Sequence, residues 1–341
     1  MSRSHGVLPT DACSVLSLAF NEPLAGTAPH TVVWLAIEQS GPWGAKALVE
    51  SHLPTDLGKE VDALIADHPI RPLLIRRPGS HIDPKTQSPE LHERTLMVAF
   101  AGKGHDQQPW LMTAHVVGDA ALREVLLGLN PSALIDGVPP GEPWQTDTSR
   151  VTLICTNGKR DTCCAISGRH LLDDVIDNLP QQDPAHRLVW ECSHPGGHRF
   201  APTVVLLPDG NVLGRAAVAD VAMSLTGRLP VHALRGRSAL TPAEQAAEIA
   251  VLHEWGPQGR TLNHGLVTMS ESDQTWVTVQ SPDGRTWIVD VREMASEHQR
   301  PVSCGKVDEP LTSWVTRIRK PAPIGQDSGR DQTTEFRSPS S

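Results

Sequence analysis

Six cysteines and one pair of histidines carry the metal and redox chemistry legible in this chain. Residues 190–203 read WECSHPGGHRFAPT, which sets His194 and His198 four apart around Pro-Gly-Gly, directly after a strand-like run. Cys155 closes an earlier strand-like run, RVTLIC. Cys163 and Cys164 open the helical segment after it, and Cys192 ends the strand before the histidines. Thiolates and imidazoles are ligands for zinc and for iron–sulfur clusters. Taken alone, HPGGH reads equally as a glycine turn with two solvated rings, and cysteine often serves as a small core residue. Those two readings explain the residues singly and give no reason for four of the six cysteines to meet one histidine pair.

The spacing permits them to converge. A strand end feeding a loop and a helix start projects Cys155 and Cys164 from one edge of a sheet, and an adjacent parallel strand brings His194 and His198 to that edge. A helix N-terminus favours negative charge and lowers thiol pKa values, which suits Cys164 as a thiolate ligand. Cys163 points about a third of a turn away, and Cys192 lies in a strand whose side chains alternate faces. Both therefore read as packing or supporting residues, as do Cys13 and Cys304. Zinc is the alternative occupant, since H-x3-H is an allowed zinc spacing. The cysteine half lacks the tight C-x2-4-C knuckle of most structural zinc sites. A thiol–disulfide enzyme would carry C-x-x-C, which is missing.

The elements that must position these residues follow from pattern and punctuation. Asp161 is placed as an N-cap for a helix whose Leu171, Leu172, Val175, Ile176 and Leu179 recur at helical spacing before Pro180. RLVWEC is the next strand. TVVLLPDGNVLGRA carries Asp209-Gly210 between apolar runs and reads as a hairpin, with a helix in VADVAMSLTGRL. In the N-terminal part, TVVWLAIE reads as a strand, GAKALVESHL as a short helix before Pro54, and PLLIRRPG as a strand and turn. Toward the C-terminus, Thr241-Pro242-Ala243-Glu244 opens a helix with a capping box. TWVTVQ and RTWIVDVR form a hairpin about SPDG. Gly, Pro and Asp in SALIDGVPPGEPWQTDTSR place a boundary near 145. Four regions result: 1–145, an N-terminal α/β domain; 146–240, the cysteine–histidine unit; 241–320, a helix plus hairpin; and 321–341, a polar tail expected to be disordered.

Composition excludes several functions. With 341 residues and 39% hydrophobic content, the chain can bury ordinary globular cores. No run approaches the about 18 apolar residues of a membrane helix. The N-terminus lacks a signal-peptide layout, so the expected location is cytoplasmic, with cysteines present as thiols or ligands. The formal net charge of −9 is uneven, with a slightly basic middle third between acidic flanks. No Lys/Arg stripe is interleaved with aromatics, and Tyr is absent, so nucleic acid is not expected as a partner.

CTNGKRDTCC followed by WECSHPGGHRFAPTVVLLPDG resembles the sucrase/ferredoxin-like family, whose members are similar to thioredoxin-like [2Fe-2S] ferredoxins. The match is strong over about 150–216, and EPLAGTAPH, SGPWGAKAL and RPVSCG extend a weaker one over most of the chain. The resemblance implies an α/β thioredoxin-like ferredoxin domain and a [2Fe-2S] cluster held by Cys155, Cys164, His194 and His198. It implies electron transfer or redox sensing with a partner such as a reductase or oxygenase. Each imidazole in place of a thiolate removes one negative charge, which eases reduction, as in Rieske centres. A ring nitrogen facing solvent also allows proton loss to accompany oxidation. No paired carboxylates support glycoside hydrolysis despite the family's name, so a carrier is expected rather than a stand-alone enzyme.

The N-terminal half reads as a degenerate copy of the same unit. VVWLAIEQSGPWGAKALVESHLP stands beside VTLICTNGKRDTCCAISGRHLLDDVIDNLP, and RPLLIRRPGSH beside RLVWECSHPGGH. Arg77 takes the place of His194, His81 that of His198, and no cysteine occupies either early position. Such a copy would be a cluster-less scaffold or docking surface, with Arg76 and Arg77 on its turn.

Overall fold

The computed structural model of the protein describes residues 6–79, 91–102, 107–180, 182–255, 266–271, 274–281 and 285–319. His81, the tail 321–341 and the centre of the SPDG turn lie outside them.

The chain opens with α1 (Cys13–Ala19) and enters β1 (Val33–Glu38), α2 (Thr55–Ile65), β2 (Ile70–Arg76), β3 (Glu93–Phe100), β4 (Trp110–Val117) and α3 (Gly118–Leu127). The short α4 (Pro131–Ile135) and β5 (Gln145–Asp147) lead into the second half. There β6 (Val151–Cys155), α5 (Thr162–Asn178), β7 (Val189–Cys192), β8 (Val204–Leu207), β9 (Asn211–Leu213) and α6 (Val218–Leu225) repeat the order of strands and helices, and β10 (Leu234–Arg237) follows. Ten strands form one mixed sheet in the order β10-β9-β8-β6-β7-β2-β1-β3-β4-β5.

Pairing shows the relation between the halves directly. In the first, β1 is parallel to β2 and antiparallel to β3, and β3 is antiparallel to β4. In the second, β6 is parallel to β7 and antiparallel to β8, and β8 is antiparallel to β9. This is the α/β thioredoxin-like arrangement, present twice and joined where β2 meets β7 antiparallel through Ile75↔Cys192 and Arg76↔Glu191. The central strands are apolar on both faces because helices or loops cover both. Every residue of β6 and β7 is buried.

One expected helix moves. Residues 45–53, within GAKALVESHL, form turns, and the helix begins after Pro54 as α2. The reason is periodicity: Ala47, Leu48 and Val49 are contiguous, whereas Leu57, Val61 and Ile65 recur every four residues and bury one face. At the C-terminal end α7 (Pro242–Trp255) is capped by Thr241 and Glu244. It is followed by β11 (Leu266–Glu271), β12 (Gln274–Gln280), β13 (Thr286–Pro301) and β14 (Asp308–Arg319), a four-stranded antiparallel sheet where a hairpin was expected. The second part of β13, EMASEHQRP, has no apolar alternation. Glu293, Met294 and Ala295 are exposed, and the pairing with β14 shifts register between Ala295 and Gln299. Among the described residues, no helix is long and apolar enough to cross a membrane.

Candidate metal centre

Cys155 is the last residue of β6, in register with Cys192 of β7. Its position is fixed from both sides, because its N–H donates to Thr203 O at 3.0 Å and the Thr156 N–H donates to Cys192 O at 3.2 Å. The loop then reaches Asp161, whose carboxylate accepts the Cys163 N–H at 2.9 Å and caps α5. Gly168, on the first turns of α5, lies against the Cys155 carbonyl so closely that a Cβ there would sit 1.9 Å from the oxygen. That approach brings Cys164 beside Cys155.

The histidine loop leaves β7 and turns on Gly196 (φ +110°) and Gly197 (φ +78°), backbone conformations that favour glycine. Arg235, fully buried on β10, holds the turn: its Nη1 donates to Gly196 O at 2.8 Å and its Nε to Thr27 Oγ1 at 3.1 Å. A Cβ on Gly197 would fall 2.3 Å from Arg235 Nη2. The loop thus places His194 Nδ1 3.7 Å from Cys164 Sγ and 3.9 Å from Cys155 Sγ. Ligand atoms of these three residues all lie within 4.8 Å of one another.

His198 takes a neighbouring position. Its ring centroid is 4.9 Å from that of His194, and its Nδ1 lies 3.2 Å from Asp161 Oδ2. That nitrogen is buried and faces the Asp161 carboxylate, without the geometry of a hydrogen bond. The structure therefore brings Cys155, Cys164 and His194 together and sets His198 at their edge. This donor set, two thiols with two imidazoles, has the chemistry of an iron–sulfur or zinc ligand set.

Electrostatics differ across the group. Burial opposes ionisation of Cys155, but hydrogen bonds with Cys164 and His194 outweigh it and hold this thiol well below its ordinary value. Cys164 is pushed up by its hydrogen bond to Cys155 and by burial. Burial, reinforced by the neighbouring His194 and only partly offset by Asp161, lowers His198 to about 4 and keeps it neutral. Cys192 is raised by burial and packs between strands.

Cys163 is more than packing. It meets Cys13 of α1, Cys304 of the β13–β14 loop and Asp161 in a second compact group. Sequence spacing gave no hint of it, because the segments are remote; the only signal was an unexplained second thiol at the helix start. Arg235 was likewise missed, being one arginine among several. Arg76 and Arg77 also differ from expectation. Arg76 is buried at the end of β2, with Nε 3.0 Å from Glu191 Oε2, which also accepts from Thr156 Oγ1 at 2.7 Å. Arg77 stacks over Trp190 at 3.5 Å and donates to Arg187 O at 2.7 Å. Both join the two halves, because Glu191 and Trp190 of β7 offer them partners that solvent would not.

A family model described as sucrase/ferredoxin-like matches residues 24–233, spanning β1 to the turn before β10. No curated protein and no solved structure matches the chain.

Proposed function

The chain belongs to the sucrase/ferredoxin-like family, and on that premise we propose that it is an electron-transfer or redox-sensing protein whose [2Fe-2S] cluster is held by Cys155, Cys164, His194 and His198. The observation that carries this reading is the meeting of two thiols and an imidazole from three separate elements within 4.8 Å. The His198 ring, its centroid 4.9 Å from that of His194, supplies the fourth ligand in this reading. When bound, the cluster supplies reversible one-electron transfer.

The chain's own residues set the conditions. Cys155 and Cys164 are buried and keep water from the sulfur side. His194 is half-exposed and marks the side open to a redox partner. Two neutral imidazoles replace two thiolate charges, which favours reduction relative to an all-cysteine site. Arg235 and the Gly-Gly turn hold the rings in place before any metal enters. Near the Cys155 loop, an open cleft lined by Trp43, Asn157, Lys159 and Arg169 offers two cations for docking an acidic partner.

Anaerobic purification with an absorption spectrum and iron and sulfide analysis tests the proposal. Equal iron and sulfide with a visible chromophore, both lost in Cys155→Ser and Cys164→Ser, is the expected result. Zinc in place of iron in the anaerobically purified protein would overturn it in favour of a structural zinc site on the same residues.

A further inference from the structure

We propose that Cys13, Cys163 and Cys304, with Asp161, form a second metal centre that holds a single tetrahedral zinc ion. The three sulfurs form a closed triangle, with Cys13–Cys163 at 3.5 Å, Cys163–Cys304 at 3.4 Å and Cys304–Cys13 at 3.7 Å. Zinc–sulfur bonds of about 2.3 Å in a tetrahedron separate the sulfurs by about 3.8 Å, so the triangle needs only a slight expansion to enclose one ion. Asp161 supplies the fourth corner, its Oδ1 and Oδ2 lying 3.8 and 3.9 Å from Cys13 Sγ. All six cysteines are free thiols.

The surroundings favour an ion over plain packing. Cys13 and Cys163 are fully buried and Asp161 is 5% exposed, among Ala12, Ala201, Leu8 and Val15. The carboxylate that caps α5 also has an oxygen within 4.8 Å of all three sulfurs, so it can serve the helix and an ion together. Asp161 is also aimed. Its Oδ2 accepts from Ser303 Oγ at 2.9 Å and from the Cys304 N–H at 3.0 Å, and its Oδ1 accepts from the Cys163 N–H. Three soft thiolates at mutual contact suit one zinc ion.

Such an ion would do structural work. It would join α1, the start of α5 and the β13–β14 loop, segments separated in sequence by as many as 291 residues. It would share Asp161 with His198, at the edge of the first centre. Its three sulfurs are nevertheless distinct from those of Cys155 and Cys164.

The test uses the full chain. Zinc is measured by mass spectrometry after anaerobic purification, and Co2+ replaces zinc as the optical probe. The expected result is one zinc per chain in the wild type, retained in the double variant Cys155→Ser/Cys164→Ser and lost in Cys13→Ser and in Cys304→Ser while the iron stays. Co2+ should give a thiolate charge-transfer band that disappears in the same two variants. Should a variant fail to fold, alkylation of the wild type decides: Cys304, though half-exposed, should be protected until EDTA is added. Zinc absent from the wild type, zinc that follows Cys155 and Cys164 instead, full retention in Cys13→Ser, or alkylation of Cys304 unaffected by EDTA would each overturn the proposal.

Discussion

Gly168→Ala puts one methyl group between α5 and β6, and the structure indicates what must yield. The new carbon would lie 1.9 Å from Cys155 O, 3.1 Å from its carbonyl carbon and 3.7 Å from Thr156 Cα. Restoring ordinary contact requires a retreat of about 1.5 Å. The obstacle is backbone, hydrogen-bonded to Thr203 and Cys192, so the helix must move. Alanine returns about 1 kcal/mol of helix propensity. Overpacking costs about 1–3 kcal/mol, and its upper range applies when backbone is the neighbour; the net loss is therefore about 1–2 kcal/mol. The larger effect falls on the site. A retreating α5 carries Cys164 away from Cys155 and His194, so metal content should drop several-fold in a protein that still folds. Urea denaturation and metal analysis measure the two effects, with Gly141→Ala as control because nothing lies within 4 Å of a Cβ there. If Gly168→Ala matched that control in stability and metal content, helix approach would not be what sets the cysteine pair.

Arg76→Ala should destabilise the fold by about 3–5 kcal/mol, because Glu191, 2% exposed, loses its cation; an Arg76→Leu/Glu191→Leu double variant that loses as much in denaturant would show that the charge is not the cause. Arg235→Lys removes the fork that holds Gly196 and Thr27 and should lower metal content while far-ultraviolet circular dichroism stays unchanged. In the metal-free protein, His198 has a folded value of about 4 against 6.5 when unfolded. The unfolded chain then binds the proton more readily, so stability is complete above pH 6.5 and is lost as pH falls toward 4, by about 3 kcal/mol; His198→Gln should flatten that window in acid titrations of unfolding. In the loaded protein, His194→Cys adds a fixed negative charge and should lower the midpoint potential measured by voltammetry.

How far the site could be read before the fold depended on local order in the sequence. Cys155, Asp161 and Cys164 follow one another through a strand end, a cap and a helix start, so their placement follows from periodicity and capping rules. His194 could be placed by the strand that precedes it. His198 could not be placed as well, because two positive-φ glycines and a buried arginine from β10 decide where the loop goes after Pro195. The triangle of Cys13, Cys163 and Cys304 was hidden for a different reason: its members come from a short N-terminal helix, a helix start and a loop beyond a sixteen-residue strand. No short-range pattern links them. The misplaced first helix shows the same limit on a small scale, since GAKALVESHL has helix-forming residues but no buried face for them to share.

The junction of the halves explains why a half without cysteine ligands can matter to the site. β2 and β7 share only two paired positions, too few to hold a sheet together by ladder bonds alone. Side chains supply the rest. Ser193 accepts the Leu74 N–H on its Oγ at 2.9 Å and returns its own N–H to Leu74 O at 2.7 Å. Glu191 receives Arg76, and Trp190 lies under Arg77. Because β7 alternates, Glu191 turns to the face opposite Trp190 and Cys192, so the first half grips both faces of the strand. Ser193 immediately precedes His194. The last fixed point before the histidine loop is therefore set by β2, and a shift of that strand would bear first on His194, whereas Arg235 of β10 holds the loop beyond it.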